Sequence, residues 1–341
     1  MTGSTLRQSH ITTPAGVALS LSEIGFGAAP IGNMGEPIAD ADAVAAVTAA
    51  LDGGVTYVDV APLYGHGLSE RRVGAAIERR HEVVLSTKVG RLLEPCAPGE
   101  QNSGIYKDVP PVRVRFAYDH DSIKRSLAES RERIGRPVDI VYVHDVDVPT
   151  HGSQDAADAR IRELIDGGGW RALTELRAAG EIKAIGVGVN DRFACLRMLD
   201  EADPDLFLVA GRYTLLDQSS LDDLLPRCAA RGVSIVIGGP YNSGILATGP
   251  VEGAWYDYAP ASEEVRSRTA RIAQVCAAHG VPLPVAALAF PLRHPSVVSV
   301  IPGGRDADQV RRNLDCYRTR VPDALWEDLK HEQLIRDDAP C

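Results

Sequence analysis

Eight short apolar runs recur along the 341-residue chain, each followed by a stretch with helical spacing, and this alternation constrains the fold more than any other feature. The runs are residues 24–27, 56–59, 83–88, 139–144, 184–189, 206–210, 234–237 and 297–301. Helical patterns occupy 41–51, 69–79, 121–134, 171–179, 193–200, 221–230, 263–278 and 307–314. A strand buried on both faces reads as a continuous apolar run, and strands that alternate with helices pair in parallel. Eight such units close a barrel, so the sequence predicts an α/β fold, a (β/α)8 TIM barrel, as one domain spanning 1–341. Ahead of the first unit, His10 to Leu19 predicts an N-terminal β-hairpin turning at Pro14-Ala15-Gly16. Gly53-Gly54, Gly180 and Gly232 stand just past helix ends, where a left-handed cap prefers glycine. Three connections, 90–120, 145–169 and 238–262, are too long for simple turns. Each follows a strand, the face on which barrels build their sites, and the competing reading is a disordered insertion.

Composition narrows the partners. Hydrophobic residues make up 45%, enough for a large core, while a formal charge of −10 and a pI near 5.4 disfavour nucleic acid or an anionic membrane surface. Cys96, Cys195, Cys228, Cys276, Cys316 and Cys341 show neither CxxC nor Cys/His ligand spacing, which argues against a zinc site or a disulfide framework. They read as reduced thiols of a cytoplasmic protein. No basic stretch leads into an apolar signal core, and no apolar run approaches the roughly 20 residues of a membrane span.

Asp59, Tyr64, Lys88 and His144 carry the chemistry, each placed at the end of a short apolar run. A tyrosine with a pKa near 10 is a poor base at neutral pH, but an adjacent ammonium lowers that pKa by stabilising the phenolate. Lys88 is the candidate ammonium, Asp59 the group that holds it charged, and His144 the hydrogen-bond partner of a substrate oxygen. Such a set suits proton transfer coupled to hydride transfer at a carbonyl or carbinol carbon. Taken singly, each has a plainer reading: Asp59 a helix cap, Tyr64 a rim residue, Lys88 a surface charge, His144 a satisfied core side chain.

The segment Asp59-Val60-Ala61-Pro62-Leu63-Tyr64-Gly65, followed by Ser69-Glu70 and Gly74, then Ser86-Thr87-Lys88 and Val143-His144, resembles the aldo-keto reductase family from about Leu21 to Leu314. The resemblance implies a (β/α)8 barrel with a nicotinamide cofactor at its carboxyl-end face. It also implies Tyr64 as proton donor or acceptor, tuned by Lys88 and Asp59, with His144 orienting the substrate. Tyr118-Asp119, Val143-His144-Asp145-Val146-Asp147, Gly186-Val187-Gly188-Val189-Asn190 and 211–217 look like the family's sugar dehydrogenases, the D-threo-aldose 1-dehydrogenase, L-fucose dehydrogenase and L-galactose dehydrogenase types. Pyridoxal 4-dehydrogenase is a close relative of that group. The implied reaction takes the anomeric carbon of a small-molecule sugar to a lactone. Alternatives are an NADPH-dependent aldehyde or ketone reductase, a pyridoxal 4-dehydrogenase and, from the family's channel-associated members, a non-catalytic cofactor-bound regulatory subunit.

Ile301-Pro302-Gly303-Gly304-Arg305 leads into a helix beginning near Asp306, where backbone N–H groups can receive a phosphate; a plain Gly-Gly turn before a surface helix is the other reading. NADPH-using relatives carry lysine, serine and arginine at the positions matching Gly303, Gly304 and Gln309. Their loss implies NAD, with NADP still open because Arg305 can supply charge. Asn313 matches an asparagine that contacts adenine, and Asn190 the residue that holds the carboxamide. Gly238, followed by Gly239 and Pro240, stands where reductases stack an aromatic side chain on the nicotinamide. Trp170, Trp255, Tyr256 and Tyr258 are candidates for an apolar wall around a sugar ring or for simple packing anchors, and Asp145 either binds a sugar hydroxyl, caps or is solvated.

Overall fold

The computed structural model describes residues 6–13 and 16–341. An antiparallel hairpin opens the chain, β1 (Gln8–Thr12) on β2 (Ala18–Ser22). The turn expected at Pro14-Ala15 lies outside the described residues. Three parallel strands follow, β3 (Phe26–Gly27), β4 (Tyr57–Asp59) and β5 (Val84–Val89), then an antiparallel pair, β6 (Arg91–Pro95) with β7 (Val112–Phe116). The parallel series resumes with β8 (Ile140–His144), β9 (Ala184–Val189), β10 (Leu206–Ala210) and β11 (Ser234–Gly238). A two-residue ribbon, β12 (Trp255–Tyr256) with β13 (Ala259–Pro260), precedes the last barrel strand, β14 (Val297–Ile301). The eight parallel strands run in the order β14-β11-β10-β9-β8-β5-β4-β3. Bridges Ile24↔Val300 and Gly27↔Gly303 carry the ends of that sheet to each other, giving the (β/α)8 barrel that the eight runs predict. Closure by single bridges is why the first strand is regular over two residues rather than over 24–27.

Alternation along the strands divides the core in two. Leu19, Leu21, Tyr57, Tyr142, Leu206, Leu208 and Val236 form the barrel interior, while Val58, Leu85, Val141, Ile185, Phe207 and Ile235 face the helices. Leu21 is fully buried beneath the barrel, so the hairpin stoppers its amino end; burying such a side chain contributes about 2 kcal/mol. Close approaches demand glycine at Gly74, where a Cβ would lie 2.2 Å from Ile134 O, between helices Leu68–Ile77 and His120–Ile134.

The long connections are built, not disordered. Residues 90–120 contain the β6–β7 hairpin, 145–169 contain helices Val148–His151 and Gln154–Asp166, and 238–262 contain helix Ile245–Thr248 and the β12–β13 ribbon. Helix Gln154–Asp166 had a readable signal: Ser153 caps it by accepting from Ala156 N, and Ala157, Ile161 and Leu164 repeat at helical spacing. Two further helices, Leu283–Ala289 and Asp323–His331, also exceed the sequence expectation. Of the capping glycines, Gly54, Gly180 and Gly232 have positive φ, but Gly53 has φ −78° and continues the helical turn.

Candidate active site

Strand periodicity places the site. Tyr57 and Asp59, Ser86 and Lys88, and Tyr142 and His144 are each two residues apart, so each pair points into the barrel, with the second member nearer the carboxyl-end mouth. Register sets Asp59 opposite Ser86, Lys88 opposite Tyr142 and His144 opposite Gly188. Only Asp59 and His144 are the last residues of their strands; Lys88 is the penultimate residue of β5. Tyr64 ends no strand. It sits in the turn after β4, five residues beyond Asp59, where Gly32 and Gly65 pack back to back. A Cβ on Gly65, whose φ is +63°, would lie 2.3 Å from Gly32 O, so the turn that presents Tyr64 tolerates no side chain there. Ser69 and Glu70 anchor the same turn from outside the barrel: Ser69 Oγ donates to Ala28 O at 2.7 Å, and the buried Glu70 carboxylate accepts from Thr87 Oγ1 and pairs with Arg133.

Lys88 Nζ donates to Asp59 Oδ2 at 2.6 Å and to Val60 O at 3.2 Å. The other Asp59 oxygen accepts from Ser86 Oγ at 2.7 Å, and Ser86 Oγ, Tyr57 OH and Tyr142 OH continue the chain at 3.1 Å spacings into the barrel core. A buried ion pair needs such extra hydrogen bonds to offset desolvation. Gly188 makes room for the lysine stem, since a Cβ there would stand 3.3 Å from Lys88 Cε. Lys88 Nζ lies 4.5 Å from the Tyr64 ring centroid, and the His144 ring meets Tyr64 edge-on at 5.9 Å. The tetrad expected from the sequence therefore converges at one mouth.

Its electrostatics differ from expectation. Burial, then the Asp59 and Asp145 carboxylates, raise the Tyr64 phenol well above its ordinary range. Asp59 itself is raised by burial, against the pull of Lys88. His144 is held neutral, its pKa driven well down by burial and by the Arg91 and Lys88 cations. Tyr64 at neutral pH is thus a proton donor beside an uncharged imidazole.

Asp145 is neither solvated nor a cap. It is buried, paired with Arg91, and its Oδ2 stands 3.2 Å from His144 Nε2. Arg91, at the start of β6, and Tyr118, whose hydroxyl donates to His144 O at 2.8 Å, come from the 90–120 connection; Tyr118 belongs to the Tyr118-Asp119 motif, while Arg91 carried none. Trp170 lies on an outer helix, where its Nε1 donates to Asp203, and is a packing anchor. Tyr258 reaches the mouth: its hydroxyl donates to Asn190 Oδ1 at 3.3 Å, while Arg212 clamps Asp257 with two 2.9 Å hydrogen bonds and donates to Asn190 O at 2.7 Å.

Asn190 follows β9 directly, and Gly238 ends β11 beside Ala210 and Ile301. Pro240 is buried behind Gly239, at which a Cβ would meet only Gly211 N at 3.9 Å, so bare backbone faces open space here. That glycine-lined cradle fits a flat ring lying against main chain. After β14, a Cβ at Gly303 or Gly304 would press on Pro30 or Val310, so packing alone calls for glycine at both. Asp306 caps helix Ala307–Arg318 by accepting from Gln309 N at 2.7 Å, and Gln309 Oε1 accepts from Arg305 N at 3.0 Å. Arg305 is turned to Glu36, donating to its carbonyl at 3.0 Å. Asn313 is engaged at both ends of its amide, donating to Gly303 O and accepting from Tyr241 OH.

A parallel barrel with a tyrosine, a buried Lys–Asp pair and a neutral histidine at its carboxyl-end mouth defines a carbonyl–carbinol oxidoreductase. Residues 23–331 match the Aldo/keto reductase family, and the chain belongs to that family of nicotinamide-linked enzymes acting on small molecules. It is 41% identical to the pyridoxal 4-dehydrogenase of Microbacterium luteolum over 93% of this chain and 95% of that one. It is 40% identical to a D-threo-aldose 1-dehydrogenase of a Pseudomonas species over 95% and 98%. Identity to the L-galactose dehydrogenase of Arabidopsis thaliana is 30% over 87% and 84%. The fold matches that of an aldo-keto reductase from Bacillus halodurans in its holo form with a TM-score of 0.74, covering 97% of each chain at 24% identity. Among the described residues no single helix is long and apolar enough to cross a membrane.

Proposed function

We propose that the protein is an NAD-linked dehydrogenase that oxidises the anomeric carbon of a cyclic aldose, of the L-fucose, L-galactose or D-arabinose type, to a lactone. The observation that carries this reading is the convergence of Tyr64, Lys88, Asp59 and His144 in a chain 40% identical to a D-threo-aldose 1-dehydrogenase along nearly its whole length. Asn190, Gly238 and Pro240 would hold the nicotinamide end of the cofactor, and Gly303, Gly304, Arg305, Gln309 and Asn313 the adenosine end. Bound there, the cofactor supplies the hydride acceptor. Tyr64 takes the proton of the C1 hydroxyl during oxidation and returns it to the oxygen in the reverse direction. Neutral His144 positions that oxygen, and Lys88, oriented by Asp59, sits beneath the phenol. A positioned proton-transfer group of this kind contributes roughly 10²–10⁴-fold.

The cofactor preference rests on charge. Arg305 is engaged with Glu36, Asp306 places a carboxylate at the helix cap, and Gln309 is bonded within the turn, so a 2′-phosphate would find no free cation among Gly303, Gly304, Arg305 and Gln309. A second reading, oxidation of the pyridoxal aldehyde, is favoured by the 41% identity to the Microbacterium luteolum enzyme. The test follows nicotinamide absorbance with NAD and NADP in parallel against L-fucose, L-galactose, D-arabinose, pyridoxal and a simple aromatic aldehyde. Reduction of NAD by a sugar is the expected result. NAD reduction confined to pyridoxal moves the assignment to the second reading, and NADPH oxidation by the aldehyde alone overturns both.

A further inference from the structure

Against His144 lie two buried charged side chains, Arg91 and Asp145, that the proposed reaction does not use. Arg91, His144 and Asp145 are 8%, 5% and 6% exposed, and Asp145 Oδ2 contacts both Arg91 Nη2 and, at 3.2 Å, His144 Nε2. The carboxylate is placed with care. Asp145 has φ +51°, a left-handed conformation that costs a residue with a Cβ about 1 kcal/mol or more, and it is held there from several sides. Its N–H donates to Gly188 O at 3.0 Å, and its carbonyl accepts from Tyr118 OH at 3.3 Å and contacts His151 Nε2 at 3.0 Å. Arg91 is fixed in turn, its guanidinium 4.6 Å from the Phe116 ring centroid.

The His144 ring has only two ways to carry one proton. On Nδ1, the proton would be a buried N–H without an acceptor, since Nδ1 has no partner, and the bare Nε2 lone pair would face the carboxylate. On Nε2, the proton stands on the carboxylate's side of the ring, where the negative charge 3.2 Å from the nitrogen favours it without taking it in a hydrogen bond, and neither penalty arises; an orphaned buried donor alone costs about 1–3 kcal/mol. We propose that Asp145, held by Arg91, is a positioning residue that keeps the single proton of His144 on Nε2, so that this nitrogen meets the substrate oxygen as a donor. The consequence for turnover rests on the oxidoreductase reading above, but the placement of the proton does not involve substrate.

The groups that face Asp145 set its response to pH. They are Arg91 on β6, Lys88 on β5, Tyr118 ahead of helix His120–Ile134, Tyr64 and Tyr258 across the mouth, and His144, Asp147 and His151 on its own segment. Burial, aided by Asp147 and opposed by Arg91, pushes the carboxyl up to about 6. Below that pH the carboxyl is protonated and its hold on the Nε2 proton is released; above it the hold is complete.

The ring nitrogens of the ¹⁵N-histidine-labelled full-length protein, with His144 assigned by loss of its signals in H144Q, decide the matter. We expect a neutral Nε2–H tautomer at pH 8. D145N, neutral at every pH as the protonated carboxyl is, should release that tautomer and lose the acid limb near pH 6 from kcat/KM. D145L should mix the two tautomers and lower kcat at least roughly tenfold with little change in the cofactor's KM. A wild-type proton on Nδ1 overturns the proposal, as does D145L with tautomer and pH profile unchanged. If D145L does not fold, wild type and D145N decide. Failure of every sugar to reduce NAD would defeat the proposed function and leave the tautomer measurement intact.

Discussion

Lys88 Nζ donates to Asp59 Oδ2 at 2.6 Å, and each side chain is only 2% exposed. Both charges of the pair reach the groups around it: Asp59 is among the carboxylates that raise Tyr64, and Lys88, 4.5 Å from the Tyr64 ring centroid, is among the cations that lower His144. Lys88 acts as a buried, oriented charge beneath the phenol, and the phenol keeps its proton.

Removing one partner should therefore be costly. Asp59→Asn is expected to destabilise the fold by about 3–5 kcal/mol by leaving Lys88 charged and unpaired. Urea denaturation of the variant reads this directly, and the double change Asp59→Asn with Lys88→Met should recover part of the loss. Equal stability of wild type and the single variant would mean that the pair is not formed.

Tyr64→Phe should lower turnover by roughly 10²–10⁴-fold while the protein still binds cofactor, since the hydroxyl moves the proton and does not support the barrel. Cofactor titration by fluorescence, alongside steady-state rates, separates the two effects. Normal turnover would remove Tyr64 from its assigned place.

The direction of the Tyr64 shift fixes the sign of the pH dependence. Because the phenol is raised, it is protonated through neutrality, so reduction proceeds with the acid already loaded. Oxidation needs the phenolate, so its kcat should climb as pH rises from neutral into the alkaline range. Rates in both directions across pH 6–10 check this; an oxidation rate that falls with rising pH contradicts it.

Gly188→Ala probes how tightly Lys88 is held. The added methyl would stand 3.3 Å from Lys88 Cε and 3.5 Å from Tyr142 Cβ, forcing the stem aside. Overpacking of this kind costs about 1–3 kcal/mol. Activity should fall further than the loss of stability explains, as seen by comparing kcat with thermal denaturation under the same conditions.

Glu36→Ala should remove the carboxylate that Arg305 Nη1 meets at 3.4 Å, leaving the guanidinium tied only to the main-chain carbonyl of residue 36. The expected result is a severalfold gain in kcat/KM with NADP, on the order of 1 kcal/mol, with NAD little affected. An unchanged cofactor ratio would show that Arg305 does not face the 2′ position.

Much of this was open to reading along the chain. Apolar runs of four to six residues identified seven strands nearly to the residue, since such runs depend on local sequence. The 90–120 and 145–169 connections were harder: the Arg91–Pro95 strand pairs with Val112–Phe116 across a long excursion, and helix Gln154–Asp166 was overlooked despite Ser153 and its apolar spacing.

The amino-acid sequence by itself determined the barrel and the strand-borne placement of Asp59, Lys88 and His144, because side-chain direction on a strand follows from counting, whereas the turn that carries Tyr64 came only from the fold. Tertiary structure alone decided the state of those groups. That Lys88 pairs with Asp59, and that Asp145 is locked against Arg91 and not solvated, depends on distances of a few ångströms between residues 29 and 54 positions apart. Electrostatic energy falls with distance and rises as water is excluded, and neither quantity is written in the order of residues.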